Sequence, residues 1–335
     1  MSIGVLLVNL GTPASTDLSS VRSYLREFLS DARVIDLPIL IRYLLLYLFI
    51  LPFRPKLSQA AYKKIWFADG SPLRVYGDKL TKKVATKLGD DYKVVLAMRY
   101  GDPSIEAGLN SLKDCDRIIV LSLFPQYASA TSGSVNEKIF KILSEKQYIQ
   151  PVNFLPEFYN SSGFVGAYSE QLKKSINGKE IDKVIFSFHG LPVRHIEKSG
   201  CAYVCKAEQP CPSISESNKV CYRAQCYETA KLISERAGIN REDYVVSFQS
   251  RLGKTPWITP YTDDILESLS KQHEIKNIAV ICPSFVADCL ETLEEIGMEA
   301  KEDWLKLGGK DFTLVPCLND NSTWVDALCI LISNG

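Results

Sequence analysis

The sequence predicts an α/β protein of two domains, each a mostly parallel sheet flanked by helices. Three observations carry that expectation. First, short apolar, β-branched runs recur at Ile3–Val8, Lys93–Met98, Arg117–Leu123, Val152–Leu155, Lys183–Phe188, Tyr244–Phe248, Asn277–Cys282 and Phe312–Pro316. They lack strict alternation, which suits strands covered on both faces. Second, amphipathic stretches lie between them, and strands alternating with helices argue for parallel pairing. Third, 335 residues exceed what one core usually serves.

In chain order, MSIGVLLVNLGTP reads as a strand entering a turn. It has no basic n-region or small-residue cleavage site, so a cytoplasmic location is expected. A helix follows at Leu18–Leu29. Residues 37–53, LPILIRYLLLYLFILPF, are unusually apolar. The thirteen residues between Pro38 and Pro52 would span about 20 Å as a helix, short of the about 30 Å of a bilayer core. The segment is either a buried helix or a surface lip meeting a membrane or an apolar ligand. Arg54, Lys56, Lys63 and Lys64 downstream would suit an anionic lipid surface. Further helices are read at Asp78–Leu88, Ile105–Leu112, Ser134–Glu145, Ala224–Ala237 and Thr262–His273. A boundary near Gln147–Pro151 gives domains of residues 1–150 and 151–321, with a last helix at 322–333 expected to return to the first. Thirty-nine basic residues balance thirty-nine acidic ones, so no field favours nucleic acid.

In open α/β sheets, ligands bind beyond the carboxyl ends of the strands. His189 stands there, directly after VIFSF, and is one of three histidines. A satisfied strand-end histidine is the ordinary alternative. After NIAVICP comes SFVADCLETLEEIG. A helix opening near Ala287 would place Asp288, Glu291 and Glu295 at i, i+3 and i+7 on one stripe. The ordinary alternative is a solvated acidic face near a helix N-terminus. Together, an imidazole and crowded carboxylates can accept protons or hold a borderline divalent cation. Insertion of a metal into a tetrapyrrole needs both actions and a large apolar slot. The 37–53 lip with Tyr100, Phe124, Tyr127 and Trp257 on strand-end loops would supply that slot.

Cys201, Cys205, Cys211 and Cys221 form a C-x3-C-x5-C-x9-C array. Thiols so dense in a chain expected in the cytoplasm suit zinc or an iron–sulfur cluster better than disulfides. The spacing alone leaves the metal open.

The stretches LLVNLGTP, ADGSPL, RYGDPS, FPQYASATSG, SFHGLP, FQSRLGKTPWITPYTD and FVADCLETLEEI, in that order, resemble the ferrochelatases along nearly the whole chain, the proteobacterial branch most of all. The resemblance implies two Rossmann-like domains of chelatase type with a porphyrin cleft between them, and insertion of Fe²⁺ into protoporphyrin IX with release of two protons. It implies His189 as the catalytic histidine, Glu291 as its acidic partner, and Asp288 and Glu295 as a proton or metal path. Leu10, Tyr100 and Trp257 would line the macrocycle with Arg99 nearby, and Arg54, Tyr62 and Ser71 would face the propionates. Cys289 stands where many relatives carry a second histidine, so that histidine's role does not transfer. The segment 200–222 looks like an insertion of the kind that carries an internal [2Fe–2S] cluster, with structural zinc as the alternative. The lip is the part implied to touch a membrane, which would make the protein peripheral to the inner membrane. A non-catalytic haem or iron carrier, or a chelatase for another metal or for coproporphyrin, remain the competing readings.

Overall fold

All eight apolar runs form strands, in two four-stranded parallel sheets. The structure is a computed structural model. It describes residues 2–201, 211, 213–251, 253 and 255–335, the side chains of residues 200 and 201 excepted. Two compact units result: Met1–Phe124 with Ala128–Glu157 and Asn319–Gly335, and Pro125–Tyr127 with Phe158–Leu318.

In the first unit the strands are β1 (Ile3–Gly11), β2 (Tyr92–Tyr100), β3 (Arg117–Ser122) and β4 (Val152–Phe154). The sheet order is β2-β1-β3-β4, with Val5 opposite Val94 on one side and Ile119 on the other. Leu6, Val8, Ala97 and Val120 pack against Ile105 and Leu109 of one helix and Val135 and Ile139 of another. Helix Ser322–Ser333 belongs to this unit, tied to helix Pro72–Leu88 by Lys87–Asp326.

Residues 39–65 are helical without a break, as Ile39–Leu44, a π-helical stretch Leu45–Ile50, and Leu51–Ile65. The sequence reading stops this helix at Pro52, but the chain continues through it. Pro52 directly follows the wider turns: the Leu51 N–H still bonds the Leu46 carbonyl at i−5, so the i−4 ladder is already interrupted there and a missing N–H costs least. Leu46 and Leu51 pack with Leu29 and Ile35. Outward lie Ile39, Leu40, Leu44, Leu48, Phe49 and Phe53, with Leu40 77% exposed. Among the described residues no helix is long and apolar enough to cross a membrane.

In the second unit the strands are β5 (Lys183–His189), β6 (Tyr244–Gln249), β7 (Asn277–Ile281) and β8 (Asp311–Leu314), ordered β6-β5-β7-β8. Phe186 lies between Val246 and Ile281, and His189 is opposite Gln249. Ile185, Ile278, Val280 and Phe312 pack against Leu266 and Trp304. A helix the sequence reading does not name, Ser162–Ile176, also belongs here.

Candidate active site

β5 delivers His189 to the carboxyl edge of its sheet, and the next turn fixes its chemistry. His189 Nδ1 lies 2.6 Å from the Gly190 carbonyl oxygen. A carbonyl only accepts, so Nδ1 is the donor here, and in the neutral ring the lone pair lies on Nε2. The ring sits between Trp257 and Phe285, at centroid distances of 6.4 and 6.2 Å. Gly190 has no alternative: a Cβ there would lie 2.8 Å from the Gln249 carbonyl oxygen and 3.2 Å from the Trp257 ring. That close approach also allows the Gly190 N–H to donate to the same carbonyl at 2.8 Å.

The acidic segment follows β7. Its helix begins at Leu290, not near Ala287, and it is π-helical over Glu291–Ala300. The i, i+3, i+7 stripe of the sequence reading therefore does not form as drawn, because Asp288 precedes the helix and the π turn closes at i+5. Asp288 is buried, and its Oδ1 accepts from the Cys317 N–H at 3.1 Å and from the Thr292 hydroxyl at 3.4 Å. Glu291 and Glu295 remain one turn apart. Gln249 Nε2 donates to the Glu291 carbonyl at 3.1 Å, and Gln249 Oε1 accepts from Ser187 Oγ at 2.6 Å. One residue of β6 thus holds both the turn after His189 and the start of the acidic helix.

Glu295 accepts twice from Ser250, from N–H at 2.7 Å and from Oγ at 2.5 Å. Ser250 has φ of 66°, the left-handed region that a non-glycine residue enters only under constraint. The Glu295 carboxyl is pushed up to about 7, above all by burial; the Ser250 bonds oppose the rise, and the charges of Glu291 and Glu299 add to it. The unit therefore offers an imidazole bonded through Nδ1, and a carboxyl that changes protonation near neutrality. Gln249 and Ser250 were missed as functional residues. Both lie inside the quoted FQSRLGKTPW stretch, but their roles depend on partners more than forty positions away.

The remaining candidates divide between the units. In the first, Tyr62 and Ser71 are buried, Ser71 accepting from Thr12 Oγ1 at 2.8 Å, while Arg54 is exposed and Leu10 half-buried. Tyr100 is fully buried and its hydroxyl donates to Asp31 Oδ2 at 2.8 Å; Arg99 Nη2 reaches the same oxygen at 2.6 Å. In the second unit, the half-buried Tyr127 has its N–H bonded to Gln225 Oε1 at 2.7 Å.

Of the cysteine array, Cys205 lies outside the described residues, and so does the Cys201 side chain, whose backbone ends a π-helical turn. Cys221 is buried and precedes helix Tyr222–Ala237. Cys211 Sγ accepts from Arg223 Nη1 at 3.0 Å. Burial pushes the Cys226 thiol well up; a Tyr222 hydrogen bond opposes this, and Cys211 and Cys221 add to it, which puts three thiols in one neighbourhood. Among the described residues no three His, Cys, Asp or Glu side chains are arranged to hold a metal ion. Of the four array side chains the structure describes Cys211 and Cys221, which supply the soft sulfur donors a thiolate-bound centre takes.

The architecture is that of the α/β chelatases. SirB from Bacillus subtilis with Fe³⁺ superposes at a TM-score of 0.56 and 11% identity, covering 100% of this chain and 95% of that one. CbiX, described as the terminal enzyme for siroheme biosynthesis in denitrifying bacteria, superposes at 0.51 and 11% identity, covering 99% of each chain. Within that class the chain belongs to the ferrochelatase family, whose model matches residues 2–335. A ferrochelatase of Legionella pneumophila (strain Paris) is 49% identical over 333 residues, 99% of each chain. One of Coxiella burnetii (strain CbuK_Q154) is 46% identical over 329 residues, 97% of this chain and 92% of that one.

Proposed function

We infer that this chain inserts Fe²⁺ into protoporphyrin IX to form protohaem, releasing two protons, and does so with His189 and Glu291. The observation that carries the reading is the hydrogen bond between His189 Nδ1 and the Gly190 carbonyl. With Nδ1–H donated there, the neutral ring accepts only at Nε2, which would take a proton from a pyrrole nitrogen. Glu291, at the first π turn, receives the incoming metal or the second proton. Glu295, titrating near 7, passes protons onward, and Asp288 completes the path. Trp257, whose ring lies 6.4 Å from that of His189, would face the macrocycle; the parts of Leu10, Arg99, Tyr100 and Tyr127 toward it rest on the family resemblance alone. Arg54, Tyr62 and Ser71 bind the propionates.

The test is anaerobic Fe²⁺ or Zn²⁺ with protoporphyrin, followed by loss of porphyrin fluorescence. His189→Ala and Glu291→Gln should each lower kcat by roughly 10²–10⁴-fold. Wild-type turnover by both variants refutes the assignment. Coproporphyrin in competition reads ring preference.

Cys201, Cys205, Cys211 and Cys221 would hold a [2Fe–2S] cluster, with structural zinc as the alternative. When bound, the cluster supplies a one-electron couple and a cross-link for the segment 200–222. Metal insertion moves no electrons, so its role is stability or sensing. Reconstituted protein should absorb between roughly 300 and 600 nm; stoichiometric zinc without that absorbance overturns the cluster. The exposed apolar face of residues 39–53, followed by Arg54 and Lys56, supports a peripheral membrane seat. Leu40→Asp should abolish co-sedimentation with anionic vesicles.

A further inference from the structure

Three buried hydroxyls lie behind the strand ends that carry the site. They are Ser187 on β5, Ser247 on β6, and Thr262, the first residue of helix Thr262–Ser270. Thr262 Oγ1 is 2.9 Å from Ser187 Oγ and 2.9 Å from Ser247 Oγ. Ser187 Oγ is in turn 2.6 Å from Gln249 Oε1, and Gln249 Nε2 is 3.1 Å from the Glu291 carbonyl oxygen. Gln249 is itself buried.

The series runs in one direction. The Glu291 carbonyl only accepts, so the amide turns its NH2 group there and its oxygen to Ser187. A hydroxyl has one proton. Ser187 donates its own to Gln249, so Thr262 donates to Ser187 and Ser247 donates to Thr262. A flipped amide would set its oxygen against the Glu291 carbonyl oxygen. The Cys282 thiol, 3.7 Å from Gln249 Oε1, is a weaker donor to the same amide oxygen.

Gln249 also bears on His189, through its main chain. Its carbonyl accepts from the Gly190 N–H at 2.8 Å, and the Gly190 carbonyl accepts from His189 Nδ1 at 2.6 Å. The Glu291 turn has local bonds of its own. The Cys289 N–H donates to Thr292 Oγ1 at 2.9 Å, and the Leu293 N–H donates to the Cys289 carbonyl at 3.0 Å. Those bonds hold the shape of the turn but do not tie it to the sheet. Gln249 does, from the residue whose carbonyl fixes the turn after His189.

We propose that Gln249 is a positioning residue: its amide, oriented by Ser187, sets the Glu291 turn against the His189 turn. The inference rests on the roles given to His189 and Glu291 above. The amide acts through Glu291 and needs no contact with substrate.

Gln249→Met keeps the volume and removes both amide bonds. With anaerobic Fe²⁺ and protoporphyrin it should lower kcat roughly 10-fold and raise the Fe²⁺ KM, leaving the porphyrin KM unchanged. A general loosening of the fold would lower the active fraction and move neither KM, and that result overturns the proposal. A double-mutant cycle is the second readout. In the Glu291→Gln background the Met substitution should lose nothing further, because the group it positions is already gone. Equal fold losses in both backgrounds overturn the proposal. Ser187→Ala is the milder variant, should Gln249→Met fail to fold. It leaves Gln249 in place but frees its amide to turn, and should lower kcat roughly 3-fold, again only where Glu291 is present. An unchanged kcat in Ser187→Ala, or an equal loss without Glu291, overturns the proposal. Wild-type turnover by Glu291→Gln sinks the assignment of that residue and the inference with it. Slow turnover there, with equal losses in both backgrounds, sinks the inference alone.

Discussion

Each unit carries a buried polar cluster where its sheet ends, and the two are built oppositely. In the first, Asp31 Oδ2 accepts from Arg99 Nη2 at 2.6 Å, Tyr100 at 2.8 Å and Ser134 Oγ at 2.5 Å, while Oδ1 accepts from the Arg33 N–H at 2.7 Å. Burial pushes the Asp31 carboxyl up, but the bonds from Ser134, Arg33 and Tyr100 and the Arg99 charge outweigh it, and the group stays below its ordinary range. In the second, Glu295 has two donors from Ser250 and no described cation among the causes of its shift, while Glu291 and Glu299 repel its charge. The lesson is that donors plus a guanidinium lock a carboxylate in one charge state. Donors beside other carboxylates leave it free to exchange a proton. The first cluster holds its carboxylate charged; the second leaves its carboxyl able to exchange a proton.

The largest effect that would break this contrast is at Asp31. Asp31→Asn puts an amide against four donors and leaves Arg99 buried with its countercharge gone. Arg99 and Asp31 are only 14% and 9% exposed. Breaking such a pair costs about 3–5 kcal/mol. Because the folded-state group lies below its ordinary 3.8, wild-type stability from this site is present at neutral pH and is lost as pH falls below that value. Urea unfolding at pH 7.5 should show the full loss, shrinking under acid. A loss below about 1 kcal/mol at pH 7.5 would mean that the cluster is not a lock.

Glu295→Gln should act with the opposite sign. A buried acid raised from 4.5 to about 7 binds more protons folded than unfolded, so wild-type stability falls as pH rises through that window. Glutamine has no such dependence and can still accept one Ser250 bond. The variant should therefore gain on wild type between pH 5 and pH 8, by up to about 3 kcal/mol, while losing activity. Unfolding free energies at those two pH values decide it; a constant difference between variant and wild type would refute the raised carboxyl.

Much of this was legible in the residues. The eight strands were, because covered parallel strands carry short, near-continuous apolar runs such as Val184–Phe188 bounded by polar residues. The position of His189 at a strand end was legible for the same reason. Helix Ser162–Ile176 was less so: Phe164 to Ser169 are all buried, so it has no one-sided periodicity. The π geometry at Glu291 was hidden because ETLEEIG fits an α pattern equally well, and one of the contacts that hold its first turn, Gln249 on the Glu291 carbonyl, comes from a strand forty-two positions earlier. Asp31 gave no local signal. It is one acid after a helix, and its four donors come from β2, from the start of helix Ser134–Ser144 and from Arg33.

The smallest effect sharpens the comparison most. Ser250→Gly keeps the backbone N–H that reaches Glu295 and relieves a left-handed φ of 66°, worth roughly 1 kcal/mol, but loses the hydroxyl bond, worth a similar amount. Net stability should stay within about 1 kcal/mol of wild type. The protonation of Glu295 should not stay put. One of the two bonds holding its charged form is gone, so the carboxyl should titrate above its present value of about 7. The inflection that Glu295 contributes to the pH dependence of kcat should then move up with it. If the inflection holds still while stability drops, Ser250 merely braces the loop after β6, and the contrast between a locking and an exchanging cluster loses its second half.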